Sequence, residues 1–143
     1  MVRVLGIDHL AIRVSNLKRS KEFYGRLLGF MGFELEWEFG QTLGWDNGRT
    51  MYWITDADRK GKQHKHRTGD VGFHHYAFEV SRPGDVDKVH ALLIEMGATI
   101  IDAPADYPDY GEGYRAVYFL DPDGLKLEVM YFLEKRKRLR GKR

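Results

Sequence analysis

An internal repeat constrains the fold of this chain more strongly than any other feature of its sequence. The segment His9-Leu-Ala-Ile-Arg-Val is matched 66 residues later by His75-Tyr-Ala-Phe-Glu-Val. In both segments the residues alternate between an apolar face and a face that begins with a histidine, which is the pattern of a half-buried β-strand. We therefore expect two similar modules that share one core, because each module alone has few apolar residues to bury.

The two halves of the chain follow the same order of elements. Apolar spacing, strand-like alternation and the Asp-Asn-Gly and Asp-Pro-Asp-Gly turns predict one strand, one helix and three further strands in each half. Gly29 and Gly97 are predicted to end the two helices. The first half has predicted strands at 7–14, 30–39, 42–45 and 49–54 and a helix at 17–28; the second has strands at 73–80, 98–101, 114–120 and 125–132 and a helix at 83–96.

These boundaries predict one domain spanning residues 1–143. Within it, module 1 covers residues 5–55, a polar linker covers 56–72, module 2 covers 73–132 and a basic tail covers 133–143. The stretch 103–113 is predicted to be a loop, because it carries proline, glycine and aspartate without an apolar period.

The composition is that of a globular protein, with 43% hydrophobic and 31% charged residues. No apolar run approaches the roughly 18 residues of a membrane span, so no membrane association is expected. The first residues do not have the layout of a signal peptide, and we expect a cytoplasmic protein. The chain has no cysteine, which excludes disulfides, thiolate metal ligands and a cysteine nucleophile.

The net charge of +2 depends on the tail, which holds seven of the 23 basic residues. Without those seven the chain has 16 basic and 21 acidic residues, a net charge of −5. A basic tail can bind a phosphate backbone or an acidic surface. We expect instead a frayed, solvated terminus and no nucleic-acid partner, because the rest of the chain is acidic.

Three residues stand on the non-apolar faces of predicted strands. In the last strand the apolar residues are Leu125, Leu127 and Val129, so Glu128 faces the other way, and a buried glutamate is costly unless it is paired or binds a metal. His9, His75 and Glu128 therefore share one kind of position. Two imidazoles and a carboxylate suit one divalent ion, Fe, Mn, Ni or Zn, and leave coordination positions open for substrate. Alone, each is also consistent with a structural histidine or an ion-paired glutamate.

Other motifs support weaker interpretations. His64 and His66 form an H-x-H that can bind a metal, but on a lysine-rich loop we expect solvated surface. His74 is predicted to face away from His75 because the two are adjacent in a strand. The run from Gly111 to Ala116 fits G-x-G-x-x-A, yet it enters a strand instead of leaving one for a helix, so we discard a dinucleotide site.

Two phrases identify a family resemblance. Phe23-Tyr24 with Leu27-Leu28-Gly-Phe, and Phe119-Leu-Asp-Pro-Asp-Gly-Leu-Lys-Leu-Glu128, resemble the vicinal oxygen chelate superfamily, which includes glyoxalase I, extradiol dioxygenases, fosfomycin-resistance and bleomycin-binding proteins. The resemblance spans residues 5–132. It implies an α+β fold in which two paired βαβββ modules form a curved mixed sheet around a cavity, with helices on the outer face. It also implies that His9, His75 and Glu128 are the metal ligands.

The resemblance implies a metal-dependent enzyme of a dioxygenase, lyase or transferase type. Such an enzyme chelates a small oxygen-rich substrate and stabilises an enolate or oxyanion. The fourth ligand position of glyoxalase I holds a carboxylate, and counting from Gly48 places Tyr52 there, so glyoxalase I activity is not expected. Ala11 stands where the fosfomycin proteins tend to carry threonine. The alternative is a non-catalytic binding protein of the bleomycin-resistance type, and members often form homodimers, which we also expect here.

Four further residues are candidates for contact with the substrate. Tyr52 is a candidate proton donor if it faces the cavity, and a packing residue if it does not. Tyr107, Tyr110 and Arg115 lie in or beside the loop before the seventh strand, and such loops often close over substrate. Arg115 suits a substrate carboxylate or phosphate, and a surface role is equally consistent with the sequence.

Overall fold

A computed structural model describes residues 1–141 of the chain. The chain divides into two compact units, residues 1–65 and residues 66 onward. Each unit has the predicted order of strand, helix and three strands, so the predicted α+β fold of paired βαβββ modules is confirmed. The strands form two separate four-stranded mixed sheets, one in each unit.

The first unit is a sheet with the order β1-β4-β3-β2, in which β1 and β4 are parallel and the other pairs antiparallel. Helix α1 buries Tyr24, Leu27 and Leu28, as its apolar spacing predicts. The side chain of Asn16 caps this helix by accepting a hydrogen bond from the backbone N–H of Arg19 at 3.0 Å. The elements are β1 (His9–Val14), α1 (Leu17–Phe30), β2 (Glu34–Phe39), β3 (Thr42–Asp46) and β4 (Met51–Asp56).

The second unit repeats this topology in the order β5-β8-β7-β6, with β5 and β8 parallel. Helix α2 buries Val86, Val89 and Leu93 and contacts strands β6, β7 and β8. The elements are β5 (Tyr76–Glu79), α2 (Pro83–Glu95), β6 (Ile100–Asp106), β7 (Tyr114–Leu120) and β8 (Lys126–Phe132), with short 3-10 turns at Pro108–Tyr110 here and Gly61–Gln63 in the first unit.

The two helices end in the same way, but not where the sequence predicted for α1. Gly97 lies just after α2 with φ +68°, and the backbone N–H of Ala98 bonds the carbonyl of Leu93. The matching glycine after α1 is Gly32, with φ +86°, and not Gly29, which lies inside the helix. The predicted end of α1 was therefore wrong by about one turn, because Gly29 interrupts the apolar spacing of the helix without ending the helix.

The strand β6 is longer than predicted. It runs from Ile100 to Asp106, so the first four residues of the predicted loop 103–113 are strand. Pro104 is tolerated there because β6 is an edge strand, and its pairing with β7 is irregular between Asp102 and Ala105. The remaining segment, residues 107–113, which we call the tyrosine loop, leads into Tyr114 at the start of β7.

The basic tail is not a frayed terminus over its described length. Residues Leu133–Arg140 form helix α3, and Lys135 pairs with Glu79 at 2.6 Å while Lys137 pairs with Glu112 at 2.8 Å. The prediction of a frayed terminus was wrong because it treated the lysine and arginine side chains as solvated. Two of the lysines pair instead with carboxylates on β5 and on the tyrosine loop. Lys142 and Arg143 of the predicted tail lie outside the described residues. Among the described residues, no helix has the length and apolar character that crossing a membrane requires.

Candidate metal centre

The second unit brings two of the three predicted ligands together. His75 immediately precedes β5, and two residues later Ala77 pairs with Glu128 on the parallel strand β8. This register places Nε2 of His75 3.1 Å from Oε2 of Glu128. The Glu128 side chain is only 2% exposed, whereas that of His75 is 31% exposed. The pair therefore combines a buried carboxylate with a histidine that solvent or a ligand can still reach.

Two tyrosines hold the Glu128 carboxylate from β7. The hydroxyl of Tyr114 donates a hydrogen bond to Oε1 of Glu128 at 2.6 Å. Burial, followed by its hydrogen bond to Glu128, raises the pKa of Tyr114 above its usual range. Burial and the nearby charge of Glu128 likewise raise the pKa of Tyr118, whose backbone pairs directly with Glu128. Both phenols therefore remain hydrogen-bond donors at neutral pH.

The tyrosine loop packs beside this carboxylate. Tyr107 and Tyr110 stack with ring centroids 5.6 Å apart, and Tyr107 meets Tyr118 edge to face at 5.8 Å. Burial raises the pKa of Tyr107. Tyr110 is 60% exposed at the outer end of the stack. The two predicted substrate-contact tyrosines thus lie next to the residues that hold Glu128.

His74 lies closer to His75 than strand alternation predicted. Its Nδ1 lies 2.5 Å from Nδ1 of His75, and the two rings meet edge to face at 4.7 Å. Strand alternation does not apply here, because β5 begins only at Tyr76 and both histidines precede it. Sequence reasoning also missed Tyr114 and Tyr118, although their even spacing on β7 was a usable signal that they share a face.

The third predicted ligand lies in the first unit. His9 begins β1 with an exposed side chain, and its Nδ1 is 2.9 Å from Oδ2 of Asp8. Across the residues that the structure describes, no three histidine, aspartate or glutamate side chains form one cluster suited to a metal ion. The role of His9 as a ligand stays a prediction that rests on its repeat-related position.

Strand register corrects which residue of the first unit matches Glu128. Ala77 pairs with Glu128 two residues after His75, and Ala11 pairs with Trp53 two residues after His9. Trp53, and not Tyr52, therefore occupies the position that glyoxalase I fills with a carboxylate. Counting from the turn glycine was wrong by one residue because the two turns differ in length. An indole cannot replace that carboxylate as a ligand, and the absence of glyoxalase I activity stays a prediction.

Tyr52 lies on the opposite face of the first sheet. It is fully buried, with its ring 5.1 Å from that of Tyr24 on α1. These surroundings support the packing alternative, and its role as a proton donor stays a prediction. Trp53 stacks on Trp37 at 5.0 Å, and its ring lies against Gly44, where a Cβ atom would come within 2.4 Å of it. Gly44 therefore gives Trp53 the space to lie flat on the sheet.

Arg115 is engaged by carboxylates on the helix side of the second sheet. Its guanidinium Nη2 lies 2.6 Å from Oδ1 of Asp87 on α2, and Nη1 lies 3.1 Å from Oδ1 of Asp106. The hydrogen bond from Arg115 lowers the pKa of Asp87. This ion pairing supports the structural alternative, and substrate binding by Arg115 stays a prediction. Of the H-x-H pair, His64 is exposed and His66 packs edge to face on Phe73 at 5.7 Å.

The donor set of the second unit fits a divalent metal. An imidazole nitrogen of His75 and a carboxylate oxygen of Glu128 already converge, and the other carboxylate oxygen accepts a hydrogen bond from Tyr114. Imidazole and carboxylate donors suit Fe, Mn, Ni and Zn, and hydrogen-bonded ligands of this kind are oriented before the metal binds. His75 and Glu128 would hold such an ion.

The two βαβββ units and their histidine–carboxylate pair place the protein in the vicinal oxygen chelate class. The chain belongs to the Glyoxalase/Bleomycin resistance protein/Dioxygenase superfamily, whose family model matches residues 6–129. It is 30% identical over 123 residues to the glutathione transferase FosA of Serratia marcescens, covering 86% of this chain and 78% of that protein.

Solved structures show the same fold. A glyoxalase/bleomycin resistance protein from Albidiferax ferrireducens superposes with a TM-score of 0.71 at 24% identity, over 88% of this chain and 98% of the other. A lactoylglutathione lyase from Agrobacterium tumefaciens superposes with a TM-score of 0.67 at 24% identity, over 90% of this chain and 95% of the other.

Proposed function

We propose that this protein is a divalent-metal enzyme of its superfamily that acts on a small oxygen-rich substrate. The metal ligands are His75 and Glu128 of the second unit, with His9 as the third. The observation that supports this most strongly is the 3.1 Å approach of Nε2 of His75 to Oε2 of a Glu128 carboxylate that is 2% exposed. A buried carboxylate needs compensation, and a metal site provides it.

A bound divalent ion supplies Lewis-acid stabilisation of negative charge on substrate oxygens. The chain's own residues provide the positioning. Tyr114 fixes the Glu128 carboxylate by its 2.6 Å hydrogen bond, so the second oxygen is directed at His75. The stacked Tyr107 and Tyr110 lie beside this pair and form a wall against which a substrate packs. Their hydroxyls are donors for substrate oxygens.

Metal analysis tests this proposal directly. Protein purified without a polyhistidine tag, stripped with chelator and reconstituted separately with Fe, Mn, Ni or Zn is expected to bind one ion per chain. His75→Ala and Glu128→Ala are expected to lose it. The matched control is His90→Ala on α2, which removes a histidine away from the pair. Full metal occupancy in both site variants would refute the assignment.

The metal that binds determines the assays that follow. Iron directs the search to catechol-like substrates with oxygen uptake as the readout. Manganese, nickel or zinc directs it to isomerase, lyase and transferase assays, and the resemblance to FosA makes glutathione transfer the first of these. Activity that survives complete metal removal would contradict the proposal.

We also propose that the protein forms a homodimer, as members of the superfamily often do. Mixing tests whether His9 acts across two copies. If each site combines His9 of one copy with His75 of the other, subunit exchange between His9→Ala and His75→Ala variants restores one intact site per mixed dimer. If the ligands come from the same copy, exchange restores no metal binding. Light scattering on the purified protein gives the oligomeric state itself.

A second candidate function is binding without catalysis, as in the bleomycin-resistance type. The observation that favours it is the Trp37–Trp53 stack, whose rings lie 25° from parallel while Trp37 is 36% exposed. Such a surface stacks on planar aromatic or cationic ligands. Quenching of tryptophan fluorescence by bleomycin, equal with and without chelator and lost in Trp37→Ala, would support this candidate over the enzyme.

A further inference from the structure

Lys126 lies on the same face of the second sheet as Glu128. It begins β8, two residues before Glu128, and pairs with Leu120 on β7. Its Nζ lies over the ring of Tyr118, 4.6 Å from the centroid. Tyr118 in turn pairs with Glu128 and meets the ring of His75 at 6.2 Å. The lysine is thus connected to the metal ligands through one aromatic ring.

This ammonium group has no anionic partner among residues 1–141. The other lysines among the described residues of the second unit each pair with a carboxylate: Lys88 with Asp85, Lys135 with Glu79 and Lys137 with Glu112. Lys126 is half-buried, and its ammonium group contacts the face of the Tyr118 ring. A half-buried cation held by a ring retains its hydrogen-bond donors for a ligand.

We propose that Lys126 binds the anionic group of the substrate. This inference rests on the proposed function and narrows it: the substrate is a small acid whose carboxylate or phosphonate neighbours a second oxygen, as in 2-hydroxy acids and hydroxyphosphonates. One oxygen pair approaches the site of His75 and Glu128, and the charged oxygen interacts with the ammonium group.

Charge balance supports an anion over a neutral substrate. With a divalent ion bound, the ion, the Glu128 carboxylate and the Lys126 ammonium group would together carry a net charge of +2. A substrate carrying one or two negative charges neutralises this excess, and a neutral one leaves it uncompensated. The stacking on Tyr118 also fixes the side chain, so little rotamer freedom is lost when an anion binds.

The experiment compares glycolate with its neutral analogue glycolamide, which keeps the hydroxyl and one neighbouring carbonyl oxygen and replaces the other carboxylate oxygen by an amide nitrogen. Hydroxymethylphosphonate is the third probe and separates phosphonate from carboxylate recognition. Calorimetric titrations use the manganese-loaded protein and variants Lys126→Met, Lys126→Arg and Lys88→Met. Lys88→Met removes the same charge from an exposed position on α2. A parallel titration with inorganic phosphate uses the metal-free protein.

Lys126→Met is expected to weaken binding of one or both anions about tenfold, the size of a hydrogen bond to a charged group, and to leave glycolamide unchanged. Lys126→Arg is expected to recover most of the loss, and Lys88→Met to match the wild type. Thermal unfolding shows that each variant is folded. The anion that loses affinity identifies the acid.

Equal anion affinity in the wild type and Lys126→Met would overturn the inference, whether or not a metal binds. Failure of the wild type to bind any metal would refute the proposed function instead. In that case the phosphate titration of the metal-free protein tests the role of Lys126. An anion site at Lys126 is supported if Lys126→Met binds phosphate more weakly than the wild type and Lys88→Met does not. It is rejected if all variants bind phosphate equally.

Discussion

Tyr114 donates a 2.6 Å hydrogen bond from its hydroxyl to the buried carboxylate of Glu128. Tyr114 is the first residue of β7 and follows the tyrosine loop directly, whereas Glu128 lies within β8. One hydrogen bond therefore links the position of the loop to the orientation of the proposed metal ligand.

Replacing Tyr114 by phenylalanine is expected to lower metal affinity about tenfold. This is the smallest loss typical of substituting a residue that orients a metal ligand. It also leaves a buried carboxylate oxygen without its donor, at a cost of about 1–3 kcal/mol in the free energy of unfolding. Metal titration and urea denaturation of the metal-free protein measure the two effects. The control is Tyr131→Phe, whose ring faces Arg136. Unchanged metal affinity in Tyr114→Phe would show that Glu128 is oriented by other groups.

Gly44→Ala is expected to destabilise the first unit by about 1–3 kcal/mol, because its Cβ would lie within 2.4 Å of the Trp53 ring. Tryptophan fluorescence should shift as the Trp37–Trp53 stack opens. Gly29→Ala is the matched control, since no atom lies within 4 Å of its added Cβ and the residue is inside α1. That variant should be as stable as the wild type or more so. Identical spectra for Gly44→Ala and the wild type would disprove the close contact.

The Arg115–Asp87 pair predicts a pH-dependent contribution to stability. The hydrogen bond from Arg115 lowers the pKa of Asp87 below its ordinary value of 3.8, so the pair stabilises the fold above that pH. The contribution is lost as the pH falls through the lowered pKa of the folded state. Arg115→Met is expected to cost up to about 1 kcal/mol near neutral pH. The difference in Tm from the wild type should shrink as the pH falls below about 4. A difference independent of pH would mean that packing, not charge, accounts for the loss.

Helix α3 is expected to hold the tyrosine loop in place. The backbone N–H groups of Leu133 and Glu134 donate to the carbonyls of Gly113 and Glu112, each at 3.2 Å, and Lys137 pairs with Glu112. Deleting residues 133–143 should speed amide hydrogen exchange in the loop and at Tyr114, because these bonds are lost. Deleting only residues 139–143 keeps all of them and serves as the control. Equal exchange in both truncated proteins would exclude this role.

Sequence patterns predicted the frame of the site better than its details. Strand alternation placed Glu128 on the non-apolar face of β8, since a period of two needs no knowledge of pairing, and the repeat shared with His9 singled out His75. It could not place Trp53, because register between strands depends on contacts across the sheet. The Tyr114 and Tyr118 contacts with Glu128 are long-range for the same reason. The helix in the basic tail was missed because its partners, Glu79 and Glu112, are distant in sequence.

The equivalent positions of Trp53 and Glu128 also bear on how this protein can be changed. The equivalent position of the last strand holds the indole of Trp53 in the first unit and the carboxylate of Glu128 in the second. On the neighbouring strand, Trp53 pairs with Gly44 and Glu128 pairs with Tyr118. Each pair forms its contacts within its own sheet. Substitutions at Gly44 and Trp53 can therefore alter the aromatic stacking of the first sheet while leaving the hydrogen bonds of Glu128 in the second sheet intact. The stacking surface and the carboxylate site can thus change independently during evolution or design.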